Sequence, residues 1–91
     1  MDDPRARFED LVEFPSVFVF RVLAHASEDL PERCAAAVLA DVHREVEAIE
    51  VKPSGKGNYV AVRVGVTVAS ADEIRSLYTA LHAVSGVRMV L

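Results

Sequence analysis

Between Tyr59 and Val68 every second residue is a valine: Val60, Val62, Val64, Val66 and Val68 alternate with Tyr59, Ala61, Arg63, Gly65 and Thr67. Successive side chains of an extended strand point to opposite faces, so this period predicts a strand with one buried face and one open face. The rest of the chain has to supply the layer that covers the valines.

A second run, Ser16 to Ala26, alternates in the same way, with Phe18, Phe20, Val22 and Ala24 on one face and Val17, Val19, Arg21 and Leu23 on the other. The second face is not polar throughout, which suits an interior strand. Val46 to Lys52 alternates more weakly, as expected at a sheet edge, and Val87 to Leu91 makes a short closing strand.

Two helices fall between these strands. Pro31 stands near a first helical position after Ser27, Glu28 and Asp29, and Leu30, Cys34, Val38 and Val42 trace an apolar stripe in a helix running to about Arg44. Ser70-Ala71-Asp72-Glu73 fits a capping box ahead of Ile74, Leu77, Tyr78, Leu81 and Val84, with Gly86 expected to end that helix. Residues 1–13 read as an N-terminal arm closed by Phe14-Pro15, because a residue before proline avoids the helical region.

The order β-α-β-β-α-β, with right-handed crossovers, predicts an α+β ferredoxin-like sandwich over residues 14–91, with a four-stranded antiparallel sheet and two helices on one face. Strands one and three are then central and strands two and four are edges. A length of 91 residues allows one domain, and a hydrophobic fraction of 52% is too apolar for intrinsic disorder.

Charge and cysteine usage narrow the function. A formal net charge of −4 argues against general binding to nucleic acid or anionic membrane. No apolar run approaches the ~20 residues that span a bilayer. The single cysteine, Cys34, has no intramolecular partner, and no signal-like segment precedes Phe14, so the expected compartment is the cytoplasm.

Glu13-Phe14-Pro15, the turn Lys52-Pro53-Ser54-Gly55-Lys56-Gly57-Asn58-Tyr59, Leu77-Tyr78 with Leu81, and the ending Val87-Arg88-Met89-Val90-Leu91 together resemble the YbeD-like family of small bacterial proteins of unknown function. The resemblance implies a ferredoxin-like fold similar to regulatory ACT domains, which bind amino acids beside metabolic enzymes, and implies no activity. Some members are associated by gene neighbourhood with lipoate metabolism. Gly55 stands where the family usually has a second serine, which weighs against a role for that hydroxyl here.

Two candidate binding regions follow from the residues. In the turn, Gly55 and Gly57 permit positive φ, so backbone N–H groups near Ser54, Gly57 and Asn58 could form an anion nest, with Lys52 and Lys56 adding charge and Tyr59 closing the segment. The plainer alternative is a hairpin tip whose lysines are solvated or paired with Glu28 and Asp29. On the open face, Arg21, Arg63 and Arg88 are expected to form a stripe among Val17, Val19, Ala61 and Val90, a composition suited to a partner interface. The alternative there is solubilising arginines paired with Glu47 or Glu50.

Other chemistry lacks its residues. The turn has not the spacing of a phosphate loop, and the open face offers only Tyr59 where RNA-binding sheets need several stacking aromatics. His25, His43 and His82 do not converge in this topology, so no metal or cofactor is assigned. The expected protein is a non-enzymatic binding or regulatory domain that takes a protein partner on its open sheet. The alternatives are an ACT-like sensor of a small anionic metabolite at the 52–59 turn, then an accessory protein in lipoate metabolism or an RNA-binding domain. Its edge strands suit a weak homodimer.

Overall fold

The computed structural model describes residues 13–53 and 57–91; residues 1–12, most of the expected arm, lie outside the described residues. The elements are β1 (Ser16–His25), α1 (Leu30–Val42), β2 (Ala48–Pro53), β3 (Tyr59–Val68), α2 (Ala71–His82) and β4 (Val87–Val90). They form one antiparallel sheet in the order β2-β3-β1-β4, the expected ferredoxin-like arrangement.

The central pair runs in unbroken register from Ser16 opposite Val68 to His25 opposite Tyr59. Phe18, Phe20 and Val22 thereby face Val66, Val64 and Val62 across the strands on the helix side. Phe20, Val62, Val64, Val66 and Val68 are fully buried, together with Leu30 and Val38 of α1 and Leu77 and Leu81 of α2. Each such side chain contributes about 1.5–3 kcal/mol by leaving water. Tyr78 packs its ring edge on Phe20 at a centroid distance of 5.0 Å, and Phe18 meets Phe20 at 4.8 Å.

Polar side chains fix the helices to one another and to the loops. Asp29 precedes α1 without capping it; its carboxylate accepts from Ser27 Oγ at 2.5 Å and pairs with Arg33 Nε at 3.2 Å. The Ser27 hydroxyl first, then Arg33, hold that carboxyl below its ordinary range. Arg33 also donates to the Ser85 carbonyl at 2.7 Å, tying α1 to the loop before β4. Asp41 accepts from Ser76 Oγ at 2.7 Å, joining α1 to α2.

Four local expectations are corrected. The first helix ends at Val42, and His43 takes the left-handed position at φ 59°, its N–H donating to the Leu39 carbonyl at 2.9 Å. Arg44 is thereby freed from the helix to donate to the Thr67 carbonyl at 3.2 Å and to pair with Glu73. That pairing draws Glu73 out of a full capping box: Ser70 Oγ accepts the Glu73 N–H, but the Glu73 carboxylate accepts from the Ala69 N–H at 2.8 Å. Gly86 does not end α2, which stops at a right-handed Ala83; its φ of 90° serves the turn into β4.

The fourth correction concerns β4. A register irregularity opposite Leu23 and Ala24 places Val87 and Val90 against the core and leaves Met89 exposed opposite Leu23. An extra residue in one strand reverses the alternation beyond it, so Val90 belongs to the helix side and not to the open face.

Substituting Val64→Asp is expected to place an unpaired carboxylate in the core and unfold the domain, a cost of several kcal/mol against a total of about 5–15. Arg63→Asp, one residue away on the open face, is expected to melt within a few degrees of the parent. Thermal melts followed by circular dichroism separate the two.

The Arg44 hydrogen bond first, then that from Ala69, lower the Glu73 pKa. Glu73 is thus harder to protonate folded than unfolded. Its contribution is complete above the ordinary carboxylate range and is lost as pH falls through that range to the lowered folded value. Glu73→Gln is expected to cost about 1 kcal/mol at neutral pH and to flatten the acid limb of a melting-temperature profile.

Candidate binding face

The sheet face away from the helices is set out in rows by strand register. His25 lies beside Tyr59; Met89, Leu23, Ala61 and Lys52 form the next row; Leu91, Arg21, Arg63 and Glu50 the next; then Val19, Gly65 and Ala48. Among the described residues, eight large hydrophobic side chains are exposed, and six of them, Val17, Val19, Leu23, Tyr59, Met89 and Leu91, stand on this face. An apolar surface with charges set into it is thus concentrated on one side of the domain.

Arg21 and Arg63 are direct cross-strand neighbours. The Arg21 backbone exchanges both hydrogen bonds with Leu91, at 2.9 and 2.7 Å, so its pairing with Arg63 is the non-hydrogen-bonded kind, in which side chains stand closer. Arg63 has a carboxylate at 3.7 Å, that of Glu50, but Arg21 forms no ion pair among the described residues. Glu47, the other expected partner, instead accepts from the Thr67 hydroxyl at 2.9 Å.

Two shallow hollows flank this pair. One, of about 430 Å³, is lined by Val17, Val19, Ala48 and Gly65 together with Arg21, Arg63 and Glu50. The other, of about 240 Å³, is lined by Arg21, Lys52 and Arg63 around Ala61 and Val62. Gly65, Ala48 and Ala61 are small, which leaves the depressions between longer side chains.

Arg88 is not part of this group. Its guanidinium lies 3.3 Å from His25 Nε2, and the His25 ring stacks on Tyr59 at 4.9 Å with planes 29° apart. The irregularity in β4 puts Met89, not Arg88, beside Leu23. The expected stripe of three arginines is therefore two clusters: Arg21 and Arg63 with Lys52, and Arg88 with His25 and Tyr59.

The turn divides in the same way. Lys52 belongs to the open face opposite Ala61, while Gly57, at φ 78°, and Asn58 lie where the Asn58 carbonyl accepts the Ala26 N–H at 3.0 Å. Ser54, Gly55 and Lys56 fall outside the described residues. His82 lines a helix-side depression with Tyr78, Thr79 and Val90, and His43 caps α1, so the three histidines are apart. Burial pushes the Cys34 thiol pKa up, which disfavours the reactive thiolate.

Sequence reasoning missed the convergence of Lys52 with Arg21 and Arg63, because it depends on the register between strands. Pairing Ile49 and Val51 of β2 against Val64 and Val62 of β3, beside the β1–β3 register, is the signal that would have found it.

The family model described as "Protein of unknown function (DUF493)" matches residues 9–91. The chain belongs to the DUF493 family. Its similarity covers the segments whose pattern resembled the YbeD-like proteins. A UPF0250 protein of Vibrio parahaemolyticus is 39% identical over 89 residues, covering 94% of this chain and 92% of the relative. One from Shewanella sp. strain ANA-3 is 42% identical over 85 residues, covering 93% and 96%.

Among solved structures, protein HP0495 from H. pylori is similar with a TM-score of 0.70 at 18% identity, covering 88% of this chain and 85% of that one. The ACT domain from GTP pyrophosphokinase of Chlorobium tepidum is similar with a TM-score of 0.62 at 16% identity, covering 82% and 94%. At such identities the likeness shows the fold alone. No helix among the described residues of this DUF493 chain is long and apolar enough to cross a membrane.

The positive φ of Gly57 gives a direct test of the described end of the turn. A Cβ there meets no atom within 4 Å, so Gly57→Ala is strained by backbone conformation alone. It is expected to cost about 1 kcal/mol in chemical denaturation. A stability equal to the parent's would mean that this residue relaxes to negative φ.

Proposed function

We propose that this domain is a non-catalytic, regulatory binding module that docks a protein partner on its open sheet face. The observation that supports this reading is the collection of Val17, Val19, Leu23, Tyr59, Met89 and Leu91, all exposed, on the face that also carries Arg21 and Arg63. Apolar area with interspersed arginine and aromatic residues is the composition of interface centres, and arginine stems add to it. The fold likeness to an ACT domain is compatible with a regulatory role. A single cysteine held in the core fits a cytoplasmic location.

A second reading, a sensor of small anions at the 52–59 turn, draws on the positive φ of Gly57. Against it, Lys52 is directed to the sheet with Arg63, and Asp29 stands beside the start of α1. The exposed edges of β2 and β4 also suit a weak homodimer.

Site-specific photo-crosslinking tests the docking face. A benzophenone side chain at Val19 is expected to capture a discrete partner from extract of the source cells, and the same group at Leu39, an equally exposed apolar position on α1, is expected not to. The adduct at Val19 should be lost in a Leu23→Glu background that keeps its melting temperature. Equal adducts at Val19 and Leu39 would overturn the reading.

A further inference from the structure

Three cations of an acidic chain meet at the centre of the open face. Arg21, Lys52 and Arg63 line one hollow around Ala61, and the carboxylate next to them, Glu50, pairs loosely with Arg63 at 3.7 Å. Among these four side chains three positive charges stand against one negative, in a protein whose formal net charge is −4. Like charges directly opposite on neighbouring strands are unfavourable, and the Arg21 and Arg63 pairing is of the closer kind. An incoming carboxylate relieves that repulsion, because guanidinium groups bind carboxylates through paired N–H donors.

The surroundings define what carries the carboxylate. Along β1 the open face presents Val19, Arg21 and Leu23 at alternate residues, apolar, cationic, apolar. An extended peptide laid along this strand repeats its own side chains at the same two-residue spacing. Val17, Val19, Ala48 and Gly65 form an apolar hollow on one side of the arginines, and Leu23 and Met89 lie on the other. A small free anion uses the charges but none of this apolar surface.

We infer that the Arg21, Lys52 and Arg63 cluster is a carboxylate-binding centre for an extended segment of a partner protein, one that places an acidic side chain between two aliphatic ones at alternate positions. This rests on the open face being the docking surface, and it adds the chemistry of the partner. Glu50 then acts as a competitor: it neutralises Arg63 in the free domain and must give way to the incoming acid.

The test is a titration of the full chain, followed by amide chemical shifts, with an acetylated and amidated peptide in which leucine, glutamate and leucine are separated by serines. The companion peptide carries glutamine for glutamate; glutarate and inorganic phosphate are titrated alone. The acidic peptide is expected to shift Arg21, Ala61 and Arg63 and to bind roughly fivefold more tightly than the glutamine form, the upper range for exposed charge pairs. Arg21→Gln should erase that difference, Arg75→Gln on α2 should leave it, and Glu50→Gln should strengthen acidic-peptide binding about twofold.

If both peptides bind equally, with shifts at Val19, Leu23 and Met89, the carboxylate centre is overturned and the docking face stands. If neither peptide shifts the open face, both are overturned. If glutarate or phosphate binds as tightly as the peptide at the same residues, the partner assignment is overturned in favour of a small anion.

Discussion

The pairing of β1 with β3 is the constraint on which the rest of the domain depends. It joins the chain's two strongest alternating runs over ten residues each, and it does two jobs through one register. On the helix side it sets Phe20 opposite Val64 and Val22 opposite Val62, the floor on which α1 and α2 pack. On the open side the same register sets Arg21 opposite Arg63. A slip of one residue would exchange the faces of β3 and expose the valines, so burial of the core fixes the position of the arginines.

Much of the fold was legible for that reason. Alternation of period two in Tyr59 to Val68 carries both strand identity and facing, and the apolar stripe of Leu30, Cys34 and Val38 carries the helix above it. What could not be read were features in which a side chain chooses between competing partners. Glu73 had a local capping role in sequence, but Arg44 and the Ala69 N–H, brought near by the fold, take its carboxylate. Nor does a histidine announce a left-handed cap, which His43 supplies.

The candidate site was half legible for a related reason. Arg21 and Arg63 follow from strand alternation, whereas the place of Lys52 beside them depends on the register of β2 on β3. Arg88 did not, because four residues of β4 are too few to signal the irregularity that turns Met89 outward and takes Arg88 towards His25. The same irregularity seats Val87 and Val90 against the core, and Leu91 exchanges both backbone hydrogen bonds with Arg21. The edge strand thus supports the arginine through its backbone.

The contrast between an acidic chain and a basic centre would have a kinetic consequence for the proposed partner. At physiological salt the Debye length is about 8 Å, so an acidic partner at a distance meets a screened field of net negative sign. In the proposed docking, the charge of Arg21, Lys52 and Arg63 would be felt only at contact, once apolar surface meets Val19 and Leu23. Attraction of this kind adds little to the rate of encounter and acts mainly on how long the encounter lasts. Under that proposal, selectivity would rest on the coincidence of an aliphatic side chain and a carboxylate at the right spacing. Acidic surfaces without the flanking aliphatic groups, and apolar surfaces without the acid, would each engage half of it and dissociate quickly.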